Sequence, residues 1–204
     1  MSITLLLFSC ADTATTNQDV EIQYTKGEDG LYHFSTGEKG KGELIYEQKI
    51  GEWTFWDSQN NLKNKGTFKY DKREGLWEYW YPSGAKLSEG KYKYDKRNGF
   101  WQFWYQNGQP MEMRNYTNNQ NILLSAWSST GKPLVVDGNG LYEYYHEDIL
   151  REKGYYKNGL PDSTWTIWNE NGEKIESFTI RNGKKLKDNL YEELLKPSKE
   201  YYNK

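Results

Sequence analysis

Groups able to move protons, attack carbonyls or hold metal ions are sparse in this chain. The two histidines, His33 and His146, stand far apart and in no H-E-x-x-H or similar ligand spacing, so each reads as a strand or turn residue. Carboxylates are abundant but scattered; hydrolysis of a glycoside would need two of them facing one sugar at roughly 5–10 Å, and no motif recommends such a pair. There is no G-x-S-x-G and no Walker-type glycine loop, and Gly138-Asn139-Gly140 runs into the strand-like LYEYY, which makes it a turn rather than a phosphate cradle. The expectation is a protein that is not an enzyme, with no catalytic residues, no metal and no cofactor. One cysteine, Cys10, cannot form an internal disulfide, so stability must come from packing.

What the chain has in excess is rings. In GLWEYWYPSG, from Gly75, the residues Trp77, Tyr79, Trp80 and Tyr81 stand almost side by side, and 17% of the 204 residues are aromatic, with 18 Tyr and 9 Trp. Rings in such number either fill a core or form a platform on which a partner stacks. With 27 basic and 29 acidic residues the formal charge is -2, which supplies no bulk attraction to nucleic acid, and none is expected as a partner. Locally the balance differs: between Leu62 and Arg97 ten basic residues face five acidic ones, an excess of +5. Tyr-Asp-Lys-Arg occurs at 70–73 and again at 94–97. If those turns lie two strands apart, Lys72, Arg73, Lys96 and Arg97 recur at about 10 Å along one edge, a candidate anion-facing patch. The alternative is a solvated row that deters edge pairing.

The elements that must position these residues repeat. GEWTFWDSQN from Gly51, GLWEYWYPSG from Gly75 and GFWQFWYQNG from Gly99 follow one another at 24 residues, and GTFKYDKREG from Gly66 matches GKYKYDKRNG from Gly90. Trp53, Trp77 and Trp101 are the first rings of their units; Trp56, Trp80 and Trp104 are the second, each followed four residues on by Asn60, Gly84 or Gly108. The register weakens afterwards: Leu124 takes the place of the first Trp, Tyr142 and Trp165 continue the first-ring series, and Trp127, Tyr145 and Trp168 continue the second. About six units result, with a shortened copy at Gly30-Leu31-Tyr32-His33-Phe34. Ser83-Gly84, Asn98-Gly99, Asn107-Gly108, Asn158-Gly159, Asn171-Gly172 and Asn182-Gly183 are hairpin signals, giving two strands per unit. Period two sets Trp77 and Tyr79 on one face and Trp80 on the other. The first rings read as core. The second rings, Trp56, Trp80, Trp104, Trp127, Tyr145 and Trp168, form the candidate binding stripe. Leu190 and Leu194 share a helical face in DNLYEELL before Pro197, a short helix able to cap the last hairpin.

On these motifs the chain resembles the MORN repeat family, and more closely its bacterial variant repeats, over about residues 30–183. The match is clear at 51–108, fair at 140–159, and weak at Leu124 and at Pro161-Asp162-Ser163. The resemblance implies an all-β, elongated antiparallel meander of repeated β-hairpins. It also implies a scaffold or lipid-binding role, or that of a toxin-antitoxin system's antitoxin component. A second resemblance, to choline-binding cell-wall repeats, shares the Trp-Tyr pairs and Asn-Gly turns but has a shorter unit, near 20 residues.

At the other end, Leu7-Phe8-Ser9-Cys10 resembles the lipobox of bacterial lipoproteins, which implies a diacylglycerol on Cys10. Residues 3–8 are shorter than the roughly 7–15 apolar residues of a usual signal segment and no positive charge precedes them, so a natural start upstream of Met1 is expected. The expected organisation is a signal-like segment at 1–9, a lipid-anchored flexible tether at 10–22, the β-hairpin array at 23–186, and a C-terminal helix and tail at 187–204. The functional expectation is a membrane-anchored binding or scaffolding module of the bacterial cell envelope, its partner another protein or an envelope component. Glycan recognition through the aromatic stripe and antitoxin-like neutralisation are the alternatives, and the oligomeric state is left open.

Overall fold

In the computed structural model, which describes residues 24–117 and 120–186, strands alternate with short turns throughout. The signal-like segment, Cys10, the tether and the helix expected at 188–195 lie outside the described residues. In order the strands are β1 Tyr24–Lys26, β2 Tyr32–Phe34, β3 Lys39–Ile45, β4 Gln48–Trp56, β5 Leu62–Lys69, β6 Lys72–Trp80, β7 Lys86–Lys93 and β8 Lys96–Trp104. They continue as β9 Pro110–Thr117, β10 Gln120–Trp127, β11 Pro133–Val136, β12 Asn139–His146, β13 Ile149–Lys157, β14 Leu160–Trp168, β15 Lys174–Arg181 and β16 Lys184–Lys185. Each pairs only with its sequence neighbours, so the described residues form one open antiparallel meander of 16 strands and contain no helix.

Two kinds of turn alternate along the two rims. On one rim sit two-residue turns with positive φ at both corners, such as Tyr46-Glu47 (49° and 64°), Tyr70-Asp71 (51° and 60°) and Tyr94-Asp95 (50° and 65°), the geometry that suits strand twist. Successive turns of this rim are clipped together: the Asp71 amide donates to the Lys49 carbonyl at 3.0 Å while its carboxylate accepts from the Lys49 amide at 2.9 Å, and Asp95 repeats both bonds on Arg73. The opposite rim carries longer turns closed by a left-handed residue, which is the role of Asn60, Gly84, Gly108 and Gly172 four residues after the second ring. Asn98-Gly99 makes no turn. It lies within β8, where Gly99 (φ 75°) and Phe100 are the two extra residues of a bulge facing Gly90 and Lys91.

That bulge is the unit's central device. Each first-ring tryptophan lies flat over a glycine of the preceding strand: Trp53 over Gly42, Trp77 over Gly66, Trp101 over Gly90 and Trp165 over Gly154. A methyl group on Gly90 would come within 2.2 Å of the indole. The bulge interrupts the ladder beside that glycine, and the indole N–H donates to the next residue's carbonyl: Trp53 to Glu43 (3.1 Å), Trp77 to Thr67 (3.0 Å), Trp101 to Lys91 (3.0 Å). A buried polar group is thereby satisfied where the sheet would leave it bare.

The inner face is then closed by rings and cations, which is how one layer buries Trp53, Trp77 and Trp101 to 1%, 2% and 0% exposure. Phe68 stands edge-on between Trp53 and Trp77, and Tyr92 between Trp77 and Trp101, at centroid distances of 4.9–6.3 Å. Lys49 lies 5.7 Å above Trp53, Arg73 4.0 Å above Tyr92 and Arg97 4.6 Å above Trp101. The series stops at β9. The residue 24 positions after Gly90 is Arg114, and the residue opposite it on β10 is Leu123, fully buried, with Leu124 an extra, half-buried residue of the next bulge. The first-ring position expected at Leu124 is thus filled by Leu123, because the bulge shifts the count by one. A second core of Leu123, Ala126, Val135, Tyr142, Tyr156, Trp165, Phe178 and Ile180 follows.

Candidate functional site

Alternation fixes what the outer face must carry. With Gly66, Phe68, Gly90 and Tyr92 turned inward, Lys65, Lys69, Glu89, Lys91 and Lys93 turn outward, and pairing sets Lys72 beside Lys69 and Lys96 beside Lys93 on that same face. Outer residues near the long-turn rim form a closed network. Glu78 accepts from Lys65 at 3.0 Å and from Lys86 at 2.6 Å, and Lys86 also reaches Glu89 at 2.8 Å. The hydrogen bond from Lys86 is the chief reason the Glu78 carboxyl is held below its ordinary value.

Two of the second rings, Trp80 and Trp104, lie against this network; all six members of the expected stripe sit at the long-turn ends of their strands, each at a register shift. Trp56, Trp80, Trp104, Trp127 and Trp168 are half-buried, and only Tyr145 is exposed. Lys65 and Lys86 stand 5.4 Å and 5.6 Å over the Trp80 ring, and Lys86 stands 6.0 Å over Trp104. Trp80 and Trp104 are therefore partly roofed by cations that are themselves paired.

The four expected cations divide by face. Arg73 and Arg97 turn inward. Arg73 donates to Asp95 at 2.9 Å and to the Tyr92 hydroxyl at 3.0 Å, and Arg97 donates to the Tyr116 hydroxyl at 3.0 Å. Lys72 and Lys96 are outward and exposed, Lys72 lying 3.6 Å from Asp95. The structure brings the two lysines together with three that sequence reasoning had not singled out, Lys69, Lys91 and Lys93, all exposed. Two acidic residues stand among them, Asp95 beside Lys72 and Glu74, which accepts the Tyr94 amide at 3.1 Å.

Interleaved with these lysines are apolar side chains that the fold leaves in solvent. Leu76 and Phe100, the second residues of the two bulges, are 52% and 66% exposed, and the turn tyrosines Tyr46, Tyr70 and Tyr94 are 95%, 58% and 62% exposed. Tyr46, Tyr70 and Tyr94 recur at 24 residues, a signal visible in the sequence. Leu76 and Phe100 were legible as outward neighbours of the buried Trp77 and Trp101, but not as bulge residues left without a partner on the preceding strand.

A buried polar cluster lies at the break in the repeat. Glu112, 1% exposed, accepts from the Arg114 guanidinium and from the Tyr142 hydroxyl, both at 2.5 Å. Burial and then the Glu112 charge push the Tyr142 hydroxyl well up. The cluster is closed off from solvent and acts as a structural joint. Among the described residues, no three His, Cys, Asp or Glu side chains are grouped so as to hold a metal ion. No family model and no curated protein matches the chain.

Proposed function

We propose that this protein is a non-enzymatic binding and scaffolding module, held on a bacterial membrane by a lipid on Cys10, that engages a macromolecule of the cell envelope through the outer face of its hairpin array. The observation carrying this reading is the exposure of Tyr46, Tyr70, Tyr94, Leu76 and Phe100 at repeated positions where packing does not use them. Exposed apolar side chains repeated along one rim and its adjoining strands mark an interaction surface. The resemblance to MORN-variant repeats supports a scaffold, and the resemblance of 7–10 to a lipobox supports the anchor.

The test has two arms. Cys10→Ser, expressed from the full natural start, is expected to move the protein from the membrane to the soluble fraction; unchanged fractionation would remove the anchor from the proposal. A photocrosslinking residue at Phe100 is expected to capture a partner that the same residue at Glu170, on the opposite rim, does not. Equal capture at the two positions, or none, would remove the outer face.

A further inference from the structure

The outer face of β5–β8 has a specific composition that narrows the partner's chemistry. Near the two-residue-turn rim it displays Lys69, Lys72, Lys91, Lys93 and Lys96 against Glu74 and the turn carboxylates Asp71, paired with Lys49, and Asp95, paired with Arg73 and Lys72, with Leu76 and Phe100 between the lysines and Tyr70 and Tyr94 at the turns. Lys69, Lys91, Lys93 and Lys96 are exposed, and no hydrogen bond or ion pair engages their side chains among the described residues. Equivalent residues on successive hairpins are two strands apart, about 9.5–10 Å by strand spacing. The surface thus offers a cation and an apolar contact that both return with that period.

Three features restrict what can read it. First, β5–β8 are internal strands, paired on both sides, so a peptide cannot bind by adding a strand; backbone recognition is closed off and only side chains remain. Second, both arginines of the repeat, Arg73 and Arg97, are committed to the inner face. The outer cations are lysines, compact point charges without the planar fork that grips phosphate in two places. Third, the lysines sit beside flat apolar groups, Phe100 and the turn tyrosines, suited to the apolar face of a ring.

We propose that this face binds a linear carboxylated glycan lying across β5–β8, its uronate carboxylates met by Lys69, Lys72, Lys91, Lys93 and Lys96 and its pyranose faces by Phe100, Leu76, Tyr70 and Tyr94. An extended disaccharide unit is about 10 Å long and so keeps step with two strands. A chain carrying one carboxylate per disaccharide would present each charge to an equivalent lysine of the next hairpin. This deepens the functional reading above and rests on it.

The probe is a hexasaccharide of alternating glucuronate and N-acetylglucosamine, titrated calorimetrically into the full chain. Binding is expected, at least tenfold weaker for the carboxyl-reduced hexasaccharide and weaker as salt is raised, since the contacts are exposed. Lys93→Gln/Lys96→Gln is expected to lower affinity at least tenfold and Phe100→Ala at least fivefold, both with unchanged melting temperature. No binding at millimolar hexasaccharide, equal binding by these variants, or tighter binding of polyglutamate or phosphatidylglycerol vesicles would overturn the proposal. If the hexasaccharide fails while Phe100 still crosslinks to a partner, the ligand class is wrong and the surface stands; if both fail, the functional reading falls with it.

Discussion

A tryptophan and a glycine eleven residues apart make the decisive contact of this fold, as Gly66 with Trp77 and Gly90 with Trp101 show. The ring occupies the place of a side chain, so Gly90→Ala forces the indole of Trp101 off its seat and off the Lys91 carbonyl. A loss of about 1–3 kcal/mol is expected in urea unfolding, against about 3–5 kcal/mol for Trp101→Ala. The opposite effect is expected at Ser163, which holds φ 65° in β14, where the other units have Gly51, Gly75 and Gly99. A non-glycine residue there costs roughly 1–2 kcal/mol, and glycine returns part of that as unfolded-chain entropy, so Ser163→Gly should raise stability by about 0.5–1 kcal/mol. That substitution would restore the leading glycine whose absence weakened the family resemblance at 161–163.

At the scale of strands, the period was legible because rings and glycines carry it at fixed spacing, and the burial of Trp53, Trp77, Trp101, Tyr142 and Trp165 follows from it. What period-two counting could not supply was the bulge. It places Asn98-Gly99 inside β8 rather than in a turn, leaves Leu76 and Phe100 without a partner on the preceding strand, and gives the core position to Leu123 instead of Leu124. The division of Lys72 and Lys96 from Arg73 and Arg97 was readable in principle, since adjacent residues of a strand face opposite ways. The joint at β9 and β10 was legible only as Arg114 standing where a glycine was due. Glu112→Gln removes the carboxylate that lies against the buried Arg114 guanidinium and should cost about 3–5 kcal/mol in urea unfolding. Glu112→Leu/Arg114→Met, which removes both charges, is expected to recover most of that loss.

Across the whole molecule, tyrosine hydroxyls tie neighbouring hairpins at the long-turn rim. Tyr81 donates to the Trp104 carbonyl and Tyr105 to the Trp127 carbonyl, both at 2.9 Å. Burial, the leading cause, pushes Tyr81, Tyr105 and Tyr144 up to about 12. Between the ordinary value of 10 and that of the folded protein, the unfolded chain holds fewer protons than the folded one. Their contribution to stability is therefore complete below about pH 10 and falls as pH rises toward 12. Melting temperatures should decline through that window while tyrosinate absorbance lags behind that of free tyrosine. Tyr81→Phe should make the decline shallower.

Because Trp53, Trp77 and Trp101 each rest on a glycine of the strand before, the repeat units from β3 to β8 complete one another and are interchangeable at the seam. Removing residues 67–90 would join Gly66 to Lys91 and leave Trp101 to settle over Gly66 as it now does over Gly90. In a gene, that is a loss of 24 codons in frame between two near-identical stretches, the kind of change unequal recombination makes. The length of the array is then a heritable variable that can drift by whole hairpins, and the reach of its outer face drifts with it.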